Sequence, residues 1–464
     1  MNDDNNSRID KLQQWKIEIL DTKSESFCGA KWYNSSMWLY NGITASCHHN
    51  PGHEIDVEAI KLNPRALHNT PQKKEERQMM KDGKKPMNCQ FCWVMEEQNS
   101  EFVSDRVWTS RGATDAQLQE AFVSDYDADF DVTYLEVGFD KTCNLSCSYC
   151  GPGVSTAWVR DIKRHGEYED IPTDNRGLYK NNQCVATDET PYVDAFIKWW
   201  ESGLHKTIQT LRITGGEPLL SKHIWRFMEW LVENRETHPT TCTLHMTTNL
   251  IYAPDVLDKF LDMCGKTGMT VELYSSTEAI GDKAEYIRDG FIWNTWETNF
   301  KTVMSSPYIS RSGICTTPAA QTISGFVEFL EWAADIKKSD PESVRISVNP
   351  LRFPVFQSVL ILPLALRQQY RDDILDIIQR SSESWTFFEI DSLNRFATYL
   401  VEVSSPVHRD LITHDTTEYA DVAIDYVPDA LAMDFKSFFT QYDKRRGKNF
   451  AETFPDLAEW YNAL

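Results

Sequence analysis

The sequence predicts an α/β fold in which strands and helices alternate and the strands form a parallel, curved sheet. Three observations predict it: six short runs with strand character, helical patterns between them, and a helical tail after Pro363. The predicted strands are 133–139, 207–214, 241–248, 269–275, 313–316 and 344–349. The predicted helices between and beside them are 155–164, 224–234, 254–264, 293–303 and 323–337, followed in the tail by 364–379, 392–403 and 430–442.

The helical assignments rest on apolar spacing. Trp225, Met228, Trp230 and Leu231 recur at the period of a helix that packs on a sheet. In a barrel of such repeats the active site lies at the carboxyl ends of the strands. Motifs that follow the predicted strands are therefore the first candidates for function.

Composition limits the class of protein. At 464 residues, with 41% hydrophobic residues and 15 tryptophans, the chain is long enough for a barrel plus smaller modules and has a real core. No apolar run approaches the about 20 residues that a membrane span needs, and the polar, acidic residues 1–7 are unlike a signal peptide. A net charge of −22 argues against a nucleic-acid substrate on a broad basic surface, but a local basic pocket stays open.

Three cysteines follow the first predicted barrel strand. Cys143, Cys147 and Cys150 form a C-x3-C-x2-C run that can hold three corners of a 4Fe–4S cluster and leave one iron open. Tyr149 places an aromatic ring beside whatever binds there. The alternatives are a zinc site, although zinc usually takes four ligands, or three unrelated thiols in a loop.

A glycine turn follows the second predicted barrel strand. Gly215, Gly216, Glu217 and Pro218 end a β-rich run, which predicts a strand that runs into a tight turn. Glycine lets a backbone approach a ligand closely, where a side chain would block it. A glycine turn alone is a weak signal, and the two motifs together are a strong one.

The two motifs together resemble the radical S-adenosylmethionine superfamily. The resemblance implies a partial (β/α)6 TIM-like barrel core over residues 126–362. It also implies that the open iron chelates the amino and carboxylate groups of S-adenosyl-L-methionine. Reduction of the cluster would then break the sulfonium bond and give a 5′-deoxyadenosyl radical.

The resemblance also assigns contacts with S-adenosylmethionine. The residues concerned are Tyr149, Gly215, Gly216, Glu217, Pro218, Asn249, Ser276 and Arg288. The guanidinium of Arg288 suits the cofactor carboxylate because it can donate two parallel hydrogen bonds. The alternative for Arg288 is a surface salt bridge with Glu285 or Asp289. The chain departs from the family at Glu278, a longer acid than the aspartate often found there.

A second cysteine group precedes the barrel. It consists of Cys28, Cys47, Cys89 and Cys92. Asn41-Gly42 is a hairpin signal, and Gly42 stands five residues before Cys47 in a G-x4-C pattern. This group resembles the "twitch" module, a shortened SPASM domain, which implies one auxiliary 4Fe–4S cluster. A zinc site is the alternative, and His48 and His49 could compete as ligands. In better-known members the module follows the barrel, whereas here it precedes it.

These observations define the expected organisation. We expect a twitch-like module at 1–125, the barrel at 126–362 and a helical region at 363–464 that packs on the barrel. Eleven cysteines in such groupings fit metal ligation in a reducing cytoplasm better than disulfides. Cys184, Cys242, Cys264 and Cys315 have no partner at ligand spacing, and most are expected to be core thiols.

The expected function is an oxidoreductase or peptide-modifying radical enzyme. By family frequency the substrate is a peptide or protein side chain, with a small alcohol or sugar as the alternative. A one-electron reductant such as flavodoxin or ferredoxin is the implied partner. No general base is identifiable. The competing class is a non-catalytic zinc or iron–sulfur binding protein.

The sequence leaves alternative roles for two further segments. Residues 165–192 are polar and predict either a lid over the site or, by default, a long surface loop. The basic run Lys444-Arg445-Arg446 is short, which favours a role in complementing a helix C-terminus over binding nucleic acid.

Overall fold

Nine strands form one sheet, and its largest part is parallel. The computed structural model describes residues 10–98, 103–174, 177–185, 188–401 and 428–464. The strands of the sheet are β1 (Asn34–Trp38), β2 (Ile43–Ala45), β3 (His53–Glu54), β4 (Tyr134–Gly138), β6 (Thr210–Thr214), β7 (Thr243–Thr248), β8 (Thr270–Ser276), β10 (Arg311–Thr316) and β11 (Val344–Val348). Within these described ranges, two further strands, β5 (Ser146–Cys147) and β9 (Arg288–Asp289), form a separate two-stranded sheet.

The strand order confirms the α/β prediction. From β4 to β11 the six parallel strands of the sheet follow one another in chain order, and all six coincide with the predicted strands. Parallel neighbours need long crossovers, which here contain helices. The partial barrel and the three predicted domain boundaries stay predictions.

Helices fill the crossovers and the chain ends. The predicted tail helix at 392–403 ends two residues outside the described part of the chain. The α-helices are Ala30–Tyr33, Val57–Leu62, Pro71–Lys81, Gln90–Gln98, Asp105–Ser110, Asp115–Val123, Thr156–His165, Thr190–Trp199, His205–Thr207, Lys222–Glu233, Pro254–Thr267, Gly281–Ile287, Trp293–Ser305, Ile323–Ile336, Leu364–Arg380, Phe387–Val401, Pro428–Arg446, Phe450–Thr453 and Ala458–Ala463. None of those in the described part of the chain is both long and apolar enough to cross a bilayer.

The two faces of the parallel sheet differ. Along each strand, buried apolar residues alternate with partly exposed polar ones, as Leu211 and Ile213 alternate with Arg212 and Thr214 in β6. Successive strand side chains point to opposite faces. The apolar face packs into the main core together with the helices. The other face is polar, and most of its side chains are partly buried.

The N-terminal part belongs to the same sheet. The predicted hairpin is confirmed, because β1 and β2 pair antiparallel with Trp38 opposite Ile43. The other edge of β1 pairs in parallel with β4, from Asn34 opposite Tyr134 onward. A smaller second core, which includes Trp32 and excludes the sheet, lies beneath the N-terminal cysteines. The sheet therefore runs across the predicted boundary near residue 125.

The C-terminal helices pack on the rest of the chain. Tyr168 and Tyr179 are buried, and both rings pack on Phe438 of the helix Pro428–Arg446. The described part of 165–192 is therefore more than a surface loop. Arg445 and Arg446 close the same helix and form ion pairs. This placement agrees with the predicted role at a helix C-terminus.

Candidate functional site

The three cysteines of the C-x3-C-x2-C run lie in the loop after β4, at the carboxyl end of the parallel strands. Cys147 is part of β5 and pairs antiparallel with Arg288 of β9. Its side chain is buried, whereas Cys143 and Cys150 are partly exposed. The structure thus brings the predicted cluster ligands and Arg288 to one place.

Buried side chains fix the backbone of this cysteine loop. The indole of Trp158 donates to the carbonyl oxygen of Cys147 at 2.9 Å. The hydroxyl of Tyr179 and the amide of Gln357 both donate to the carbonyl oxygen of Ser148, at 2.8 and 3.0 Å. All of these donors are buried, so the loop is held in one conformation by bonds that water does not compete for.

The surroundings of the thiols are suited to metal binding. Burial raises the pKa of Cys147 to about 12 and also raises the pKa of Cys143. Metal binding must therefore displace protons from these thiols. The amide of Leu145 donates to Sγ of Cys143 at 3.5 Å, and the guanidinium of Arg288 lies 3.8 Å from Sγ of Cys147. Both donors favour the thiolate form.

The glycine turn packs against the backbone of the cysteine loop. A Cβ at Gly215 would lie 2.7 Å from the carbonyl oxygen of Asp140, and one at Gly216 would overlap that of Thr142. Gly215 also has φ +119°, which side chains disfavour. The amide of Glu217 donates to the carbonyl oxygen of Thr142 at 2.6 Å. These contacts give the glycines a structural role in addition to the predicted contact with a ligand.

Glu217 points into the protein. Its carboxylate accepts from the hydroxyls of Thr248 and Tyr252 at 2.8 and 3.2 Å and from the amide of Asn249 at 2.6 Å. Burial raises its pKa to about 7. Glu217 therefore ties the end of β7 to the glycine turn, and the following Pro218 is buried beside it. The side chain of Glu217 is a positioning group in this geometry.

Asn249 and Ser276 both lie at strand ends, as predicted. Asn249 follows β7, and its side-chain amide donates to Asn144 of the cysteine loop at 2.8 Å. Its side-chain oxygen accepts from the amide of Ile251 at 2.9 Å. Ser276 is the last residue of β8 and is partly exposed. Its contact with the cofactor stays a prediction.

Arg288, Glu278 and Tyr149 form a buried group beside Cys147. Arg288 binds Glu278 through two nitrogens, one of them at 3.0 Å, and the hydroxyl of Tyr149 donates to the same carboxylate at 2.7 Å. The alternative of a surface salt bridge from Arg288 to Glu285 or Asp289 is wrong, because its carboxylate partner is Glu278 and both are buried. The sequence did not indicate this pairing, although it singled out all three residues.

The four N-terminal cysteines line one cavity. Cys28, Cys47, Cys89 and Cys92 surround about 460 Å³ of space, including the open volume at its mouth. The hydroxyl of Ser110 lies 4.0 Å from Sγ of Cys28. Four residues separated by up to 64 positions in the sequence are thus brought together as the spacing predicted. Their ligand roles stay a prediction.

The spacing of these sulfurs bears on the metal. Within the described part of the chain, the group that brings three ligand atoms within 4.8 Å of one another is His48, His49 and Asp105, and no three cysteines do so. A tetrahedral zinc with Zn–S bonds of about 2.3 Å would hold its sulfurs about 3.8 Å apart. In an iron–sulfur cluster each cysteine binds a different iron, which separates the sulfurs more widely. Zinc therefore stays the alternative to the predicted cluster at these four cysteines.

Buried cations adjoin this cavity. Lys31 lines it and pairs with Glu76. Behind it, the ammonium of Lys73 and the guanidinium of Arg77 are buried and donate to hydroxyl, carbonyl, amide and imidazole acceptors. A four-thiolate zinc or 4Fe–4S centre has a net charge of about −2. Such a centre would compensate these cations, which otherwise are costly to bury.

The two histidines lie at the mouth of the cavity. His49 bonds to Asp105, and Nε2 of His48 lies 3.5 Å from the same carboxylate. The ring of His49 stacks on Phe91 with ring centroids 3.6 Å apart. Asp105 thus engages both imidazoles in this geometry, which favours a supporting position beside the cysteines over ligation.

Comparison with known proteins supports part of the assignment. No protein-family model matches the chain. A segment of 117 residues, 24% of the chain, is 31% identical to the 7-carboxy-7-deazaguanine synthase of Geobacter sulfurreducens and covers 42% of that protein. The chain therefore spans about two fifths of the length of this relative.

A solved structure also resembles the chain weakly. The crystal structure of Streptococcus suis SuiB bound to S-adenosylmethionine aligns with 77% of this chain and 69% of its own, at 13% identity and a TM-score of 0.34. A likeness at this level carries no argument by itself. The synthase similarity, together with the cysteine run and the glycine turn, supports the radical S-adenosylmethionine superfamily.

Proposed function

We propose that this protein is a radical S-adenosylmethionine enzyme that takes a hydrogen atom from a bound substrate. One observation carries the proposal: the three cysteines, the Gly215-Gly216 turn and Arg288 meet at the carboxyl end of the parallel strands. In α/β sheets ligands bind at this end. The three thiols leave room for a further ligand on the metal centre, which a fourth cysteine would occupy.

Each group of residues has a distinct role in this proposal. Cys143, Cys147 and Cys150 would hold a 4Fe–4S cluster, which supplies the electron that cleaves S-adenosylmethionine. The turn at Gly215-Gly216 would offer its backbone to the cofactor, and buried bonds keep the cysteine loop in place. Ser276, Asn249, Tyr149 and Arg288 would complete the cofactor site.

Methionine and 5′-deoxyadenosine are the expected products of the cofactor in this reaction. When bound, S-adenosylmethionine would accept one electron from a flavodoxin- or ferredoxin-type reductant by way of the cluster at Cys143, Cys147 and Cys150, and would supply methionine and a 5′-deoxyadenosyl radical. Transfer of a hydrogen atom from a substrate C–H bond would then give 5′-deoxyadenosine. If the substrate radical then loses an electron and a proton, the net reaction is an oxidation.

We assign Cys28, Cys47, Cys89 and Cys92 to a second 4Fe–4S centre, with zinc as the alternative. The G-x4-C pattern ending at Cys47 and the neighbouring C-x3-C-x2-C run support the iron form. Only iron could accept the electron of the oxidation, since zinc has no redox chemistry in proteins. All eleven cysteines are free, which fits a reducing cytoplasm.

The resemblance and the synthase relative both bear on the class of substrate. The resemblance ranks a peptide or protein side chain first and a small alcohol or sugar second. The name of the Geobacter sulfurreducens relative identifies a small heterocyclic carboxylic acid as its product. That name favours a small molecule over a peptide for this chain as well.

Anaerobic reconstitution tests the proposal. Iron, sulfide and zinc per chain are counted, and 5′-deoxyadenosine is then measured after addition of dithionite and S-adenosylmethionine. About eight irons per chain with 5′-deoxyadenosine would support both centres. About four irons and one zinc would keep the radical enzyme and remove the electron-accepting role. Zinc alone, with no 5′-deoxyadenosine, would leave a non-catalytic binding protein.

A matched pair of variants makes the test specific. Cys147→Ser should lose 5′-deoxyadenosine formation and about four irons per chain. Cys242→Ser removes a thiol that is also buried but lies far from any ligand group in the sequence, and it should keep both. Equal activity in the two variants would overturn the assignment of Cys147.

A further inference from the structure

Tyr40 brings a phenol from the N-terminal hairpin to the polar face of the sheet. The ladder between β1 and β4 continues one residue beyond β1, because the amide of Leu39 donates to the carbonyl oxygen of Gly138 at 2.8 Å. Leu39 packs into the main core. Since successive strand side chains point to opposite faces, Tyr40 lies on the polar face, at the carboxyl end of the parallel strands.

Glycine at position 138 makes room for the ring of Tyr40. A Cβ at Gly138 would lie 3.0 Å from Cε1 of Tyr40 and 3.4 Å from Cα of Gly215. The ring and the glycine turn thus both pack against the last residue of β4. The cysteine run begins five residues after Gly138, at Cys143. Tyr40 therefore lies beside the start of the cysteine loop.

The hairpin turn holds Tyr40 in this place. Gly42 has φ +68°, and a Cβ there would overlap the phenol of Tyr192. The amide of Gly42 donates to the carbonyl oxygen of Leu39 at 3.3 Å, and its carbonyl oxygen accepts from the amide of Ile55 at 2.7 Å. The turn that follows Tyr40 is therefore fixed by hydrogen bonds to both flanking segments.

The hydroxyl of Tyr40 has no acceptor among the described residues. Tyr40 is only 6% exposed, and within the described ranges no residue forms a hydrogen bond of up to 3.5 Å with its hydroxyl. A buried donor without a partner costs about 1–3 kcal/mol. A bound group that supplies the acceptor would remove this cost.

The charges that act on this hydroxyl indicate where such a group would lie. Burial raises the pKa of Tyr40, and the thiolate of Cys150 raises it further, with a smaller contribution from Glu136. Coulomb interactions weaken with distance, so Cys150 lies near the hydroxyl. The raised pKa keeps the phenol protonated at neutral pH, and the hydroxyl is therefore a donor.

We propose that the hydroxyl of Tyr40 donates a hydrogen bond to a sulfur of the centre held by Cys143, Cys147 and Cys150, and that this bond makes the centre easier to reduce. The inference rests on the proposed function, because it needs an iron–sulfur centre at these cysteines. The electron from the proposed reductant adds negative charge at the sulfurs, and a donated hydrogen bond stabilises that charge. The N-terminal part thereby tunes a centre whose ligands belong to the loop after β4.

The alternative is that the ring of Tyr40 only packs on Gly138. Phenylalanine would serve that purpose equally well and would bury no donor without a partner. The hydroxyl group is therefore the feature that distinguishes the two roles.

Two phenylalanine variants test the proposal. Tyr40→Phe keeps the ring and removes only the hydroxyl. Tyr33→Phe is the control, because Tyr33 is also buried, immediately precedes β1 at its other end, and donates to the carbonyl oxygen of Gln117 at 2.7 Å. After anaerobic reconstitution, the natural protein and both variants should bind the same number of irons per chain.

The midpoint potential of the centre is the measurement. Each protein is reduced stepwise at controlled potential and followed by electron paramagnetic resonance. The signal that changes on addition of S-adenosylmethionine belongs to the centre with an open iron. In Tyr40→Phe the equilibrium constant for one-electron reduction of this centre should fall about tenfold, which lowers its midpoint potential by about 59 mV. Tyr33→Phe should leave the potential unchanged.

The outcomes separate this inference from the proposed function. An unchanged potential in Tyr40→Phe overturns the inference, and so does an equal change in both variants. Loss of about four irons per chain from Tyr40→Phe alone also overturns it, because the hydroxyl would then serve assembly of the centre and not its potential. In each of these cases, the signal of the natural protein that responds to S-adenosylmethionine would still support the radical enzyme. Absence of that signal from the natural protein would reject the proposed function, and this inference with it.

Discussion

At the scale of single residues, the site depends on buried acceptors as much as on the cysteines. Glu217 receives three hydrogen bonds from the end of β7 and its following turn, all at or below 3.2 Å. A buried donor without an acceptor costs about 1–3 kcal/mol. Glu217, which the resemblance predicts as part of the cofactor turn, therefore also has a structural role.

Two replacements of Glu217 distinguish the contribution of its hydrogen bonds to stability from the contribution of its charge. Glu217→Ala should lower the free energy of unfolding by about 3 kcal/mol or more, because four donors, including the amide of Leu219, lose this acceptor. Glu217→Gln keeps an acceptor oxygen and should cost less than half as much. Urea unfolding measures both, with the exposed Glu58→Ala as a control. If both Glu217 variants lost the same free energy of unfolding, the charge of Glu217 and not its acceptor oxygens would be responsible for the stabilisation.

A second residue should shape the pH dependence of stability. Burial, reinforced by the charge of Lys73, lowers the pKa of His53 from 6.5 to about 4. Since the unfolded chain binds this proton more readily, the stability from a neutral His53 is complete above about pH 6.5 and is lost as the pH falls toward 4. His53→Gln should therefore lose less stability than the natural protein between about pH 7 and 5 in thermal melts.

The control for His53 is another histidine. His165→Gln changes an exposed side chain at a helix end, and its melting temperature should follow that of the natural protein. If the melting temperature of His53→Gln also equalled that of the natural protein at every pH, the neutral form of His53 would not contribute to the loss of stability in acid.

At the scale of elements, the C-terminal helix Pro428–Arg446 stabilises the cysteine loop from outside. Arg446 lies 3.4 Å from Asp161 and 3.1 Å from Asp289, and its guanidinium stacks on Tyr442 at 4.0 Å. Asp289 in turn accepts from Ser146, which precedes Cys147, at 2.9 Å. The helix thus reaches the predicted metal ligands through two contacts.

Breaking this contact should be costly. Arg446→Gln leaves the partly exposed carboxylates of Asp161 and Asp289 with fewer partners, and we expect a loss of about 2 kcal/mol in the free energy of unfolding. Arg226→Gln breaks an ion pair whose side chains are 52% and 41% exposed, and should change it by less than about 1 kcal/mol. Similar losses in both would show that Arg446 acts as a surface residue.

Local patterns predicted the elements but not their long-range pairing. All six strands from β4 to β11 were predicted, because the alternation of apolar and polar residues and the flanking turn residues can be recognised within a few positions of the sequence. The pairing of β1 with β4 was not, since it joins residues 100 positions apart. The partnership of Arg288 with Glu278 was missed for a related reason: charge and spacing indicated nearer acids, and burial decided otherwise.

At the scale of the whole molecule, the N-terminal part and the parallel sheet form one structure. β1 covers the edge of β4, and the amide of Thr133 donates to the carbonyl oxygen of Tyr33 at 2.8 Å. An uncovered edge strand is a template for pairing with other chains. The pairing of β1 with β4 crosses the boundary predicted near residue 125, and we expect the segments on its two sides to depend on each other.

Truncation tests this dependence. A chain of residues 131–464 should aggregate or unfold at a lower denaturant concentration than one of residues 10–464, because the edge of β4 is exposed. Solubility and near-ultraviolet circular dichroism measure the difference. A soluble, folded 131–464 chain would instead show that the N-terminal part is a separable domain.

The pairing of β1 with β4 also has a consequence for synthesis. Asn34 and Tyr134 are 100 residues apart, so at about 5–20 residues per second the ribosome needs roughly 5–20 s to make the second strand after the first. During that interval the edge of β1 that later pairs with β4 is exposed on the nascent hairpin. The same edge on a neighbouring nascent chain could pair with it and cause aggregation. The yield of folded protein should therefore depend on how quickly the ribosome translates the messenger between these two strands.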